Sequence, residues 1–76
     1  MGSTVVELEG RHYWVSTLRA PSSNDYFDTL VFPCDDKGQV TDYAYVYEER
    51  YSTLEEAKAG HERVVRELGE LVWLKE

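Results

Sequence analysis

Cysteine is nearly absent from this chain: Cys34 is the only one in 76 residues, so no intramolecular disulfide can form. Histidine is almost as scarce. His12 and His61 stand alone, with no spaced Cys/His set, and this excludes a structural zinc site. No EF-hand spacing occurs, so Asp35, Asp36 and Asp42 read as turn chemistry before they read as a weak cation site. No apolar run reaches the roughly 18 residues of a membrane span. The opening MGSTVVELEG has neither the basic nor the apolar region of a secretory signal, and Gly2 lacks the later Ser or Thr of a myristoylation start. Glycine-rich phosphate cradles are missing, and Arg11, Arg19 and Arg50 are scattered. Bases are also few. Eight Lys and Arg face fifteen Asp and Glu, a formal charge of −7 that disfavours DNA, RNA and anionic membranes. The acidity reads either as plain solubility or as attraction for a basic protein partner.

A chain this short buries only about 60% of its unfolded surface, and one core yields about 3–5 kcal/mol. With no disulfide or zinc to compensate, an oligomer, dimer or higher, is the expected state. A single thiol and no signal peptide point to a reducing cytoplasm. What the chain does possess is apolar and aromatic side chains, 42% and 13% of residues, more than a disordered polymer carries. They belong to a single expected domain spanning residues 1–76.

The hydrophobic period changes from two to about 3.6 at Ser52, so a tyrosine-striped strand hands over to an amphipathic helix. Upstream, Val5 to Leu8 is an apolar run closed by a Glu9-Gly10 turn. Arg11 to Leu18 alternates, with His12, Trp14, Ser16 and Leu18 opposite Arg11, Tyr13, Val15 and Thr17. Residues 20–25 form a loop on composition. Tyr26 to Pro33 follows, with Phe27, Thr29 and Val31 opposite Tyr26, Asp28, Leu30 and Phe32, and Pro33 ends that ladder. Asp35 to Gly38 is a hairpin turn, and Val40 to Tyr51 returns as one partner strand carrying Tyr43, Tyr45 and Tyr47 on one face. Ser52 or Thr53 caps the helix through a capping box with Glu55 or Glu56. Leu54, Ala57, His61, Val64, Val65 and Leu68 form its buried stripe. Gly69 stops it, and Leu71 to Leu74 adds a short strand or a returning tail. The fold expected is α+β: an antiparallel meander of three to four strands with one amphipathic helix of about sixteen residues on one face.

One such helix covers only one face, so the other exposes aromatic rings. An uncovered aromatic face marks a binding or assembly surface. The candidate binding residues are Tyr43, Tyr45, Tyr47, Tyr51, Trp14 and His61. Tyrosines in this number suit protein or self-association, ordinary half-exposed packing, or stacking on a small aromatic or nucleotide ligand. His61 reads as a general base or ligand contact, or as a packed ring bonded to a strand carbonyl, Asp28 or Tyr51. No serine, cysteine or second acid sits at a catalytic spacing from it. Cys34 beside Asp35 and Asp36 lacks the cation that would activate a thiolate. The composition names no cofactor and supports a non-enzymatic reading.

Three segments in order carry a resemblance: Tyr13-x-Val15-Ser16-Thr17, then Asp28-Thr29-Leu30-Val31-Phe32 with Cys34-Asp35, then Glu49-Arg50-Tyr51-x-Thr53-x-Glu55-Glu56-Ala57-x-x-Gly60-His61. Together they cover residues 11–66 and resemble a family of small uncharacterised proteins encoded by bacteriophages and prophages of Gram-positive bacteria. The segment from Arg50 to His61 is the most specific part. That family has methionine where Leu30 stands here and an acid where Tyr47 stands, so the tyrosine stripe is particular to this chain. The resemblance implies a phage origin and no established activity. A small acidic phage protein that modulates a host or defence factor is the expectation that follows. The alternatives are a virion or assembly component and a dimeric sponge for a nucleotide signal.

Overall fold

Alternating strands and one 3.6-period segment leave a single economical arrangement, and the computed structural model, which describes residues 2–19 and 26–73, has it. Strands β1 (Gly2–Leu8), β2 (Arg11–Arg19), β3 (Phe27–Cys34) and β4 (Tyr47–Tyr51) form one antiparallel sheet in the order β1-β2-β3-β4. Helix α1 (Leu54–Trp73) crosses one face of it. The fold is therefore an α+β meander. The loop expected at residues 20–25 and the end of the expected tail at Leu74 lie outside the described residues.

Local chemistry accounts for the connections. Glu9 and Gly10 both adopt positive φ, 50° and 84°, the tight two-residue turn whose twist matches the flanking strands. Asp35 organises the next turn: its carbonyl accepts from Gly38 N at 3.0 Å, and its Oδ1 accepts from the N–H groups of Lys37 and Gln39, each at 2.9 Å. Thr53, rather than Ser52, caps α1. Its Oγ1 accepts from Glu56 N at 3.1 Å, while Glu56 Oε1 reaches back to Ser52 N at 3.1 Å.

The core lies between α1 and the inward face of the sheet. Tyr13, Val15 and Val31 from the strands meet Val64 and Leu68 from the helix, with Val6, Leu8, Val46, Tyr47, Val65 and Leu71 packed around them. Ala57 is fully buried where α1 crosses the sheet. Leu54, expected on the buried stripe, is the first residue of α1 and is 42% exposed; the buried stripe starts at Ala57.

Three further expectations are corrected. Gly69 does not end α1, which continues to Trp73. Burial of Leu68 and packing of Leu71 offset the cost of about 1 kcal/mol for a helical glycine. No strand or tail forms at residues 71–73. Pro33 does not end β3, which reaches Cys34. The Pro33 carbonyl accepts from Thr41 N at 3.0 Å, and N–H and C=O of one strand residue point the same way. The missing donor thus faces the β4 side rather than β2, where the ladder is already interrupted.

That interruption is the third correction. Cys34 pairs with Val40, and Val31 pairs with Tyr47. Three steps along β3 therefore match seven on the returning chain, so four residues are extra. The expected strand from Val40 to Tyr51 is a single bridge, an excursion, and then β4. Thr41 N on Pro33 O and Val46 N on Val31 O pin the excursion at its two ends. Asp42 Oδ1 accepts from Ala44 N at 3.0 Å and tightens its bend.

Candidate functional site: the open face of the sheet

Alternation assigns each strand residue to a face, and the register aligns them into rows. On the face away from α1, Val5, Trp14 and Phe32 are successive cross-strand neighbours. The Trp14 and Phe32 rings are tilted at 36° with centroids 6.1 Å apart. The excursion then lays Tyr43 edge-on against Phe32, at 5.8 Å and 63°. This gives a three-ring ladder across two strands and a loop. Its outermost ring, Tyr43, is 75% exposed; Val5 at the far end of the row and Leu18 opposite Asp28 are exposed on the same face. The turn leans over one end: a Cβ on Gly38 would lie 3.3 Å from Val5 Cγ2.

The other end of this face is charged. Asp28 on β3 lies opposite Arg50 on β4, and the Arg50 Nε is 3.5 Å from Asp28 and 3.6 Å from Glu48. The Arg50 guanidinium also sits 4.7 Å above the Tyr26 ring. Burial, then the neighbouring Glu48, pushes the Asp28 carboxyl above its ordinary value, and Arg50 opposes them.

The tyrosines divide between the two sides of the molecule. Tyr43 and Tyr45, the latter 52% exposed, belong to the excursion. Tyr47 and Tyr51 face α1 instead, with Glu49 between them. Both phenols donate to the Glu49 carboxylate, which also receives the Arg63 guanidinium. Burial pushes Glu49 up, but the bonds from Tyr51, Arg63 and Tyr47 outweigh it and hold the carboxyl below its ordinary value. Burial and Glu49 push Tyr51 up to about 12. The stripe expected on one strand face is therefore two structures, a surface pair and a half-buried pair. Alternation already placed Glu49 with Tyr47 and Tyr51. The signal for this cluster was in the sequence, and Arg63 was its missing half.

His61 is bonded to neither Asp28, Tyr51 nor a strand carbonyl. Its Nε2 meets Thr4 Oγ1 at 3.0 Å, and its Nδ1 meets Thr17 Oγ1 at 2.6 Å. Thr17 in turn meets Thr29 at 2.6 Å. Burial lowers the His61 pKa, with Glu62 acting against it. A cleft of about 280 Å³ opens here, lined by Thr17, Ala57, Lys58, His61 and others. Both ring nitrogens are already engaged by threonine, so the arrangement holds the helix against β1 and β2 and offers no free nitrogen as a base. Cys34 is buried under the turn, and burial, then Asp35, raises its thiol pKa. Among the described residues, no group of three or more His, Cys, Asp or Glu could hold a metal ion.

The segment from Arg50 to His61 can now be read residue by residue. Arg50 pairs with Asp28, Tyr51 lies beneath Gly60, Thr53 and Glu56 form the cap, Ala57 is buried, and His61 ties α1 to two strands. Its spacing is that of a strand-to-helix junction. Of the six candidate residues, only Trp14, Tyr43 and Tyr45 lie on the outer surface of the sheet or its excursion. Tyr47, Tyr51 and His61 are tied beneath the helix.

No family model matches this chain, and no curated protein or solved structure does so either. Among the described residues, no helix is long and apolar enough to cross a membrane.

Proposed function

We propose that this chain is a non-enzymatic binding protein whose open sheet face is covered by a protein partner. The observation that carries the reading is the Trp14–Phe32–Tyr43 ladder, which lies on the side of the sheet away from α1 while its outer ring remains 75% exposed. Aromatic rings of this kind give large contact area for little entropic cost. The resemblance of residues 11–66 to phage-encoded proteins supplies the setting: a host cytoplasm, and a host or defence protein as the target. Capture from host lysate with the wild type and with a Trp14→Ser/Tyr43→Ser variant tests it. A partner retained by the first and lost by the second supports the reading, provided both melt cooperatively. Equal capture by both removes the open face from consideration.

A second reading, assembly with further copies of the chain, is favoured by the outer edge of β1. GSTVVEL contains no lysine or proline to discourage pairing with another strand.

A further inference from the structure

The open face carries its own example of what it binds. At one end, the Arg50 guanidinium lies over an aromatic ring, Tyr26, while two carboxylates, Asp28 and Glu48, flank it. At the other end the same ingredients recur. Trp14, Phe32 and Tyr43 supply the rings, exposed Asp42 precedes Tyr43 with one carboxylate oxygen accepting from Ala44 N, and Glu7 lies on this face one alternation beyond Val5. Flat guanidinium groups suit such places, because they stack on rings and bridge carboxylates at once, which a compact ammonium does less well. The chain's −7 charge extends the same preference over longer range and opposes a like-charged copy laid face to face.

We propose that the partner of the open face presents arginine side chains around an apolar centre, the guanidinium groups seating between the aromatic ladder and its acidic rim. This rests on the binding reading above and adds the chemistry of the partner to it.

The test is a titration of ¹⁵N-labelled protein with three synthetic peptides in which leucine alternates with arginine, lysine or glutamate. The arginine peptide should give saturable shifts concentrated at Trp14, Phe32 and Tyr43. The lysine peptide should bind several-fold more weakly and the glutamate peptide not at all. Glu7→Lys/Asp42→Asn, which keeps the side-chain oxygen that accepts from Ala44 N while removing the charge, should weaken the arginine peptide by about tenfold or more while leaving the thermal melt cooperative. Equal binding of the glutamate peptide, shifts centred on the acids of α1, or indifference to the double substitution would each overturn the inference. The two readings fail separately. If lysate capture depends on Trp14 but not on the acidic rim or on salt, the binding reading stands and the arginine partner falls.

Discussion

His61 shows how much structure a single side chain can hold together. Its two nitrogens bond threonines on different strands, so removing the ring orphans Thr4 and Thr17 and leaves a cavity beneath α1. His61→Ala should cost roughly 1–3 kcal/mol, measured by urea unfolding. The same burial that lowers its pKa sets a pH dependence. The unfolded ring takes up a proton near 6.5 and the folded ring only at lower pH, so stability is full above that value and is lost as pH falls through it. The urea midpoint should drop between about pH 7.5 and 5.5, and His61→Gln should flatten that fall. A flat wild-type profile would mean the ring is protonated as easily inside as outside. Tyr51 behaves oppositely at high pH. Its raised pKa contributes stability below its ordinary value of 10, and this is lost as pH rises toward about 12.

Gly60 decides the packing of the helix against β4. A Cβ there would overlap the Tyr51 ring, whose phenol donates to Glu49. Gly60→Ala should therefore destabilise by about 1–3 kcal/mol, although alanine favours a helix by about 1 kcal/mol. In a Tyr51→Ala background the sign should reverse, since only the propensity gain remains. A cycle in which both substitutions merely add would disprove the contact. The returning segment gives a companion comparison. Tyr45→Ala should change stability by no more than about 0.5 kcal/mol, and Tyr47→Ala by several times that. Period-two alternation made β2 and β3 legible and sorted their residues into two sets, but which set the helix covers was fixed only by the packing of Val64 and Leu68 on Tyr13, Val15 and Val31. The capping box was legible too, though it fitted Ser52 as well as Thr53, and the helical stripe was right from Ala57 onward but not at Leu54. Alternation could not reveal that Tyr43 and Tyr45 leave the strand, because an excursion of four residues preserves the parity of the residues flanking it, so the pattern runs on unbroken while Tyr43 swings to Phe32 on the outer face. Gly69 misled for another reason: a stop signal is local, whereas Leu68 and Leu71 pull the helix onward through tertiary packing.

At the scale of the molecule, size and charge act against each other. A small core favours association, and −7 opposes it until salt screens the charge. If copies pair through the outer edge of β1, sedimentation should show dimers or larger species at micromolar concentration, increasing between low and roughly 0.5 M salt. A clean monomer at about 100 μM under both conditions would leave the β1 edge unused. The excursion between Val40 and Val46 carries a further consequence. Deleting Asp42 to Tyr45 would let Val40, Thr41, Val46 and Tyr47 face Cys34, Pro33, Phe32 and Val31 in unbroken register. Val46 would move across to the outer side in exchange for the lost rings. One short excision would thus remove Tyr43 and Tyr45 while leaving Trp14 and Phe32 on the strands. The excursion is the part of the open face that can be lengthened, shortened or exchanged at a splice between Thr41 and Val46, with Trp14 and Phe32 held in place by the β2–β3 ladder.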